Sequence, residues 1–171
     1  ATDHLAYGSL FQWGRKPDGH ELITWTNGTT GTAVNSTTST NANNPANALF
    51  IIGFSDWRTS QDDTLWATQA SANNPCPVGF RVPTNAELTT LVTSSSITNS
   101  ATAASSAMKF TVPGFRLNGD GLLANQGTNG YYWSSTVIGT DARFLYFESA
   151  AATTNTHGIR AASKAVRCLK D

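Results

Sequence analysis

Apolar and polar positions follow helical spacing most clearly in the segment just after Pro83. Its apolar residues share one helical face: Leu88, Leu91 and Val92. Thr84 precedes the segment and Glu87 stands three residues later. This is capping-box spacing, in which each side chain accepts a hydrogen bond from the backbone amide of the other. The pattern predicts a helix over residues 85–93 whose apolar face packs inward.

The segments before this helix carry weaker patterns. Apolar residues at 5, 10, 11 and 13, with few β-branched neighbours, predict a short helix over residues 5–13 that ends at Gly14. Residues 22–25 are predicted to be extended, and residues 26–47, which show no period, are predicted to form a loop. A helical turn is predicted over residues 62–67.

From Met108 onward the chain consists of short apolar segments separated by Gly and Asn. These segments span residues 109–112, 115–117, 130–134, 143–149 and 165–169. Such spacing predicts a meander of antiparallel strands. Because the strands follow a helical part, the predicted fold class is α+β, with short helices, long polar loops and a C-terminal antiparallel sheet.

The apolar positions of these elements supply the predicted core. Its members are Trp13, Phe80, Leu88, Leu91, Trp133, Phe147 and Val166. Five Trp residues in a chain of 171 are more often core residues than binding residues. Stacking of a sugar on Trp57 or Trp66 is the second interpretation.

Length and charge narrow the classes of function. A chain of 171 residues is predicted to form a single domain, residues 1–171. Only 13% of the residues are charged and the net charge is zero, so nucleic acid is not an expected partner. No apolar run approaches the about 18 residues that a membrane span needs, so no membrane-spanning segment is expected. Loops rich in Ser, Thr and Asn favour an extracellular or cell-surface location.

The two cysteines, Cys76 and Cys168, allow two interpretations. They are too few for a disulfide scaffold and too far apart for a CxxC metal or redox site. A bond between them would close a loop of about 90 residues, for which the chain-entropy model gives about 4 kcal/mol. Two buried thiols that pack as small apolar groups are the alternative.

The residue pattern does not favour an enzyme. The three histidines, His4, His20 and His157, are scattered, and Ser134 and Ser135 lack the glycine-flanked elbow of a serine nucleophile. Calcium is not expected either, because the chain lacks the Glu-Pro-Asn and Gln-Pro-Asp tripeptides of calcium-dependent lectins. No metal or other cofactor is therefore expected.

Three further residues have alternative interpretations. His20 beside Glu21 suits either a metal ligand or, more commonly, a turn residue whose ring bonds to the backbone. Arg81 and Arg167 suit either anion binding or structural bonds to carbonyl and carboxylate groups between segments, and the structural role is the more common one.

Three motifs in order resemble a known pattern: YGSLFQWGRKPDGHE, NPCPVGFRVPTNAEL, and GYYWSST followed by RAASKAVRCLKD. They are similar to the Fibrobacter major paralogous domain family and to the variable proteins of diversity-generating retroelements. The resemblance covers most of the chain outside the polar loops. This sequence departs from it at Lys164-Ala165, where an aromatic residue followed by a small one would be expected.

The resemblance implies a C-type-lectin-like fold. In it, residues 83–87 open a helix, residues 131–135 begin the terminal sheet, and residues 166–168 close it without calcium. In retroelement variable proteins the segment between the WSS and VRC motifs is diversified by adenine-directed mutagenesis and forms a ligand-binding face. Here that segment is residues 136–165.

The predicted ligand-binding residues lie within this segment. They are Val137, Ile138, Asp141, Arg143, Leu145, Tyr146, Glu148, His157 and Ile159. A single surface requires a bulge or twist, because Tyr146 and Glu148 alternate with Arg143 and Leu145 along one strand.

The resulting prediction is a non-enzymatic ligand-binding domain of a surface or phage-tail protein, with a protein ligand favoured over a carbohydrate. A fixed structural or adhesion module and calcium-independent carbohydrate binding are the alternatives. Nothing in the pattern indicates an oligomeric state.

Overall fold

The computed structural model describes residues 3–33, 36–37, 45, 47–52 and 55–171. Within these residues it contains a 3₁₀ turn, His4–Ala6, and two helices, α1 (Asn85–Ser94) and α2 (Ser100–Ser105). The strands of the first half are β1 (Phe11–Gln12), β2 (Ile23–Asn27), β3 (Thr30–Ala33), β4 (Ser36–Thr37), β5 (Phe50–Ile51) and β6 (Phe80–Arg81). Those of the second half are β7 (Phe115–Arg116), β8 (Leu123–Ala124), β9 (Gly130–Ile138), β10 (Asp141–Phe147), β11 (Ala152–Ile159), β12 (Ser163–Lys164) and β13 (Leu169–Lys170).

The longest strands form an antiparallel sheet in the order β11-β10-β9. A second antiparallel sheet has the order β1-β12-β7-β8, so the N-terminal strand β1 pairs with the distant β12. The two sheets are joined at Ala165, which donates its amide to Tyr131 O at 3.0 Å and accepts from the Trp133 amide at 2.9 Å. The fold class is α+β, as predicted.

Helix α1 begins where the sequence predicts, with Thr84 as its N-cap. The Glu87 amide donates to Thr84 Oγ1 at 3.3 Å, and the Thr84 amide donates to Glu87 Oε2 at 2.7 Å. Both halves of the capping box are present. Leu88 is 1% exposed, whereas Leu91 and Val92 are half-buried.

Arg81 has the structural role that is the more common one for such a residue. It donates to both carboxylate oxygens of Glu87, at 2.8 and 2.7 Å, and to Asp171 at 2.7 Å. The hydrogen bonds from the Arg81 guanidinium lower the pKa of Glu87 to about 2. Partial burial acts in the opposite direction, and the Thr84 donors add to the lowering. Arg81 thereby ties β6 to helix α1 and to the last residue of the chain.

The β11-β10-β9 sheet separates two apolar clusters. On one side Leu145 and Phe147 pack with Leu88, Phe110 and Tyr132. The opposite side carries Trp13, Trp57, Trp66, Trp133 and Phe144. Trp13, Leu88, Trp133 and Phe147 are buried as predicted, while Phe80, Leu91 and Val166 are only half-buried.

Two of the tryptophans also bear on sugar binding. Trp57 and Trp66 are fully buried, which is incompatible with stacking on a sugar at the surface.

The predicted helix over residues 5–13 is wrong. Only His4–Ala6 forms a 3₁₀ turn, Gly8 then has φ +69°, and residues 11 and 12 form β1. The physical reason is long-range: Gln12 is buried, and its side-chain amide donates to Ile51 O and Ala161 O, both at 2.7 Å. The hydrogen bonds to these distant carbonyls favour an extended backbone at residues 11 and 12. The spacing of neighbouring residues cannot reveal them.

Three other predictions need correction. The predicted loop over residues 26–47 includes the end of β2, all of β3, and β4; its residues 34–35, 38–44 and 46 lie outside the described part. Residues 109–112 are not a strand, although Phe110 and Val112 are buried. Within residues 165–169, Ala165 makes an isolated bridge to Tyr132 and only residue 169 enters a strand.

The turn predicted at residues 62–67 is present at residues 63–66.

Cys76 and Cys168 form a disulfide between residues 92 positions apart. The first of the two interpretations of these cysteines is therefore correct. The bond ties the loop before β6 to the segment between β12 and β13.

Lys164 is buried where the resemblance would place an aromatic residue. Its Nζ lies 4.0 Å from the centroid of the Trp133 ring, 4.5 Å from that of Phe144 and 5.6 Å from that of Phe115. The rings favour the ammonium form by cation–π attraction. Burial dominates and lowers the pKa of Lys164 to about 7, with Asp141 acting in the opposite direction.

We expect Lys164→Met to stabilise the protein in a pH-dependent way. Between the folded pKa of about 7 and the ordinary value of 10.5, the unfolded chain binds the proton and the folded one does not, so wild-type stability rises with pH across this window. The variant lacks the titrating amine and therefore this rise of stability with pH. Its advantage in unfolding free energy, measured by urea titration, should be largest below pH 7 and fade toward pH 10.5. An advantage that is equal at pH 6 and pH 10 would contradict the assignment.

We expect Thr84→Ala to destabilise the protein by about 1 kcal/mol, because the Glu87 amide loses its acceptor. Urea unfolding at pH 7 measures the change. Thr90→Ala is the matched control, because Thr90 is exposed and its hydroxyl bonds only within the helix, to Ala86 O. Equal losses in the two variants would show that the cap does not contribute.

Candidate ligand-binding surface

The turn between β9 and β10 is short and open to solvent. Ile138 pairs with Asp141 across it, which leaves Gly139 and Thr140 as the two turn residues. Gly139 has φ +55°, a conformation that glycine adopts at little cost. Ile138, Gly139 and Thr140 are all exposed. The turn therefore presents the ends of two strands to solvent.

Residues from two other parts of the chain hold this turn in place. Gln61 donates its side-chain amide to Thr140 O at 2.8 Å. Arg160 donates through Nη2 to Gly139 O at 3.3 Å and to Asp63 Oδ1 at 2.6 Å. The Arg160 side chain is fully buried, with its guanidinium 4.7 Å from the centroid of Trp13. The turn is consequently fixed to the folded frame.

Five of the predicted residues lie together beside this turn. We call them the hairpin-tip group: Ile138, Asp141, Arg143, His157 and Ile159. Asp141 pairs with Ile138 on β9 and with Ile159 on β11, and Arg143 pairs with His157. Directly opposed residues of an antiparallel pair project from the same face. The register thus places all five on one face of the sheet.

The polar members of the hairpin-tip group are connected to one another or to neighbours. His157 Nδ1 lies 2.7 Å from Asp141 Oδ2, and Arg143 donates to Asn155 Oδ1 at 3.2 Å. The His157 side chain is 53% exposed and that of Asp141 20%. The group therefore offers a cation, a carboxylate, an imidazole and two aliphatic side chains on one fixed surface.

The remaining four predicted residues lie elsewhere. Leu145 is fully buried, so the expectation that it faces solvent is wrong. Val137 pairs with Ala142 and is half-buried against the tryptophan-rich cluster. Tyr146 projects with Tyr131, at a ring separation of 5.1 Å, toward the opposite face from Arg143.

Glu148 lies close to Tyr146. Burial, followed by hydrogen bonding with Glu148, raises the pKa of the Tyr146 hydroxyl to about 12. Asn129 donates to the same hydroxyl at 3.1 Å. The nine predicted residues therefore do not form one surface.

The reason lies in where the sheet is irregular. Between Phe144 and Tyr146, β10 contributes one residue and β11 contributes two. Between Ala142 and Phe144, β10 again contributes one residue while β9 contributes three. Both irregularities place their extra residues on the neighbouring strands. The alternation along β10 is unbroken, so Tyr146 cannot join Arg143.

Asn155 and Thr154 belong to this face and were not predicted. Asn155 accepts from Arg143, and Thr154 Oγ1 lies 2.7 Å from Thr89 Oγ1 on α1. The signal that could have found them is the polar run at residues 153–157, which is unusual for a strand with a buried neighbour. Helix α1 borders the open part of the face through this contact.

The cluster of Asp18, His20 and Glu21 is the one ligand set of this kind in the described part of the chain, with ligand atoms within 4.8 Å of one another. The His20 ring is nevertheless fully engaged. Its Nε2 accepts from the Gln12 amide at 3.1 Å, and its Nδ1 lies 2.7 Å from Asp18 Oδ1. Burial lowers the pKa of His20, which favours the neutral ring. This geometry favours the structural role for His20.

Comparison with known proteins adds nothing to this geometry. No protein-family model, curated protein or solved structure matches the chain. Among the described residues, no helix has both the length and the apolar character needed to cross a membrane.

We expect the double variant Arg143→Ala with His157→Ala to keep the fold. Both residues lie on the open part of the sheet, where each substitution typically costs within about 0.5 kcal/mol. Leu145→Ala, two residues farther along β10 than Arg143, should cost about 2 to 5 kcal/mol because it empties a core position. Thermal and urea unfolding would measure both. A double variant as unstable as Leu145→Ala would mark these two residues as part of the framework.

Proposed function

We propose that this chain is a non-enzymatic ligand-binding domain with a C-type-lectin-like fold, and that it binds through the hairpin-tip group. The observation that carries the proposal is the placement of these five side chains. They share one open face beside a turn held by Gln61 and Arg160, and Ala142 and Phe144 on the opposite face of β10 are buried in the tryptophan-rich cluster. Such a surface can change its side chains without changing its frame.

A protein is the favoured ligand. The hairpin-tip group combines charges of both signs with two aliphatic side chains, and Arg is a common anchor residue of protein interfaces. The alternative of calcium-independent sugar binding has less support, because Trp57 and Trp66 are buried and cannot offer a stacking platform.

Two observations support the non-enzymatic assignment. Ser134 is fully buried and its hydroxyl donates to Arg143 O at 2.9 Å, so it serves the sheet and is not poised as a nucleophile. The two cysteines are bonded to each other and offer no thiol. The disulfide also supports a location outside the cytoplasm, at a cell surface or on a phage tail, since such bonds persist in oxidising surroundings.

We further propose that residues 136–165 are diversified, as in the retroelement variable proteins that the motifs resemble. The hairpin-tip group lies wholly within this segment, between the WSS and VRC motifs. The disulfide at Cys168 and the joint at Ala165 hold its C-terminal end in place. A fixed structural or adhesion module is the alternative, and it differs in what the gene should contain.

The gene itself tests diversification. We expect a reverse-transcriptase gene nearby and a near-copy of the codons for residues 136–165, with differences confined to adenine positions and concentrated at the hairpin-tip codons. Sequencing the locus checks this. Paralogues that differ throughout the chain, without such a copy, would favour the fixed module instead.

A display experiment tests the binding surface. A library randomised at the hairpin-tip group and shown on yeast should yield binders to one soluble protein, such as lysozyme, at least about tenfold more often than a control library. The control randomises another exposed hairpin, at Thr24, Thr26, Thr29, Thr30 and Thr32. Equal yields from the two libraries, or a hairpin-tip library that fails to display, would count against the proposal.

A further inference from the structure

A pocket of 280 Å³ lies between the N-terminal segment and the end of β12, away from the hairpin-tip group. Two cationic side chains line it, Lys109 and Arg167, together with the polar groups of Ser9, Thr111 and Tyr132. No acidic residue is among its lining residues. The pocket therefore concentrates positive charge in a chain whose net charge is zero.

Arg167 and Arg81 are both flanked by apolar residues in the sequence, but they differ in their bonding partners. Arg81 is bonded to Glu87 and Asp171. Arg167 is exposed, and in the part of the chain that the structure describes it has neither an ion-pair partner nor a hydrogen-bond acceptor. Its five donors are free for a ligand.

Lys109 is likewise without an ion pair to any described residue. Its Nζ lies 3.4 Å from Ser105 O, a long contact with a neutral group. The Lys109 backbone has φ +50°, a left-handed conformation that costs a residue with a side chain about 1 kcal/mol. Such conformations persist where the surrounding structure fixes them, and here the result is a cation at the pocket rim.

The floor of the pocket is fixed. Tyr132 is buried, and its hydroxyl accepts from the Thr111 amide at 3.0 Å and donates to Thr111 O at 3.1 Å. Burial raises the pKa of the Tyr132 hydroxyl, while the bonds with Thr111 and then the positive charge of Arg167 act in the opposite direction. Asp3 is not among the lining residues; its carboxylate accepts from the Leu5 amide at 3.1 Å and caps the 3₁₀ turn.

We propose that this pocket binds a carboxylate group of a ligand, with Arg167 donating to both carboxylate oxygens and Lys109 supplying the second positive charge. Arg matches the planar, two-oxygen geometry of a carboxylate, and Lys adds a point charge. The volume suits a single terminal group and not a whole polymer. A uronic sugar and the C-terminus of a peptide share this chemistry. The pocket shares no residue with the hairpin-tip group, so either site can fail without the other.

Titrations followed by backbone amide NMR test the proposal. The probes are sodium glucuronate and N-acetylglycine, each paired with a neutral counterpart, glucose and N-acetylglycinamide. We expect saturable shifts at the amides of Ser9, Thr111 and Arg167 for at least one carboxylate and none for its neutral counterpart. The stronger of the two carboxylates identifies the sugar or the peptide terminus as the source.

Variants assign the effect to the two cations. Arg167→Gln should weaken carboxylate binding at least about tenfold, as for loss of hydrogen bonds to a charged group. Lys170→Gln, which removes an exposed cation outside the pocket, should leave it unchanged. If Arg167→Gln does not fold, Lys109→Gln decides, with a loss of several-fold expected. Absence of saturable shifts, equal response to the neutral compounds, equal binding of inorganic sulfate, or equal loss in Lys170→Gln would overturn the proposal.

Discussion

Strand β10 is the constraint on which the rest of the sheet depends. It lies between β9 and β11, and from Phe144 to Phe147 its side chains enter apolar clusters on both sides of the sheet. Only its first residues, near the turn, have an open face. A one-residue slip would move Arg143 to the side of the tryptophan-rich cluster and Tyr146 to the side of the other cluster. The position of the hairpin-tip group is therefore set by the burial of residues that follow it on the same strand.

Buried polar groups connect this sheet to the rest of the chain. Gln12 bonds to Ile51 and Ala161, and the indole N–H groups of Trp13, Trp57 and Trp133 donate to backbone carbonyls at 2.8, 2.7 and 2.9 Å. Each of these bonds satisfies a group that would otherwise be costly to bury. Because they join segments far apart in sequence, they specify one arrangement of irregular loops around two small sheets.

The sequence predicted what depends on neighbouring residues and missed what depends on distant ones. The capping box at Thr84 and Glu87 is a local device, and it was predicted correctly. The strand at Phe11 was mistaken for a helix, because the carbonyls that bond Gln12 come from 39 and 149 residues away. For the surface, the alternation along β10 already separated Tyr146 from Arg143. What the sequence could not reveal was which strand would carry the extra residues.

The disulfide keeps the molecule in one piece after a single proteolytic cut between its two cysteines. Cys76 and Cys168 enclose helix α1, helix α2 and the three long strands, including every residue of the hairpin-tip group. A single peptide-bond cleavage between the two cysteines leaves both pieces covalently attached. Residues 93, 94, 96, 98 and 101, exposed around the end of α1, offer a protease an accessible place for such a cut. A nicked molecule thus still carries the hairpin-tip group, and releasing that group requires a second cleavage or reduction of the bond.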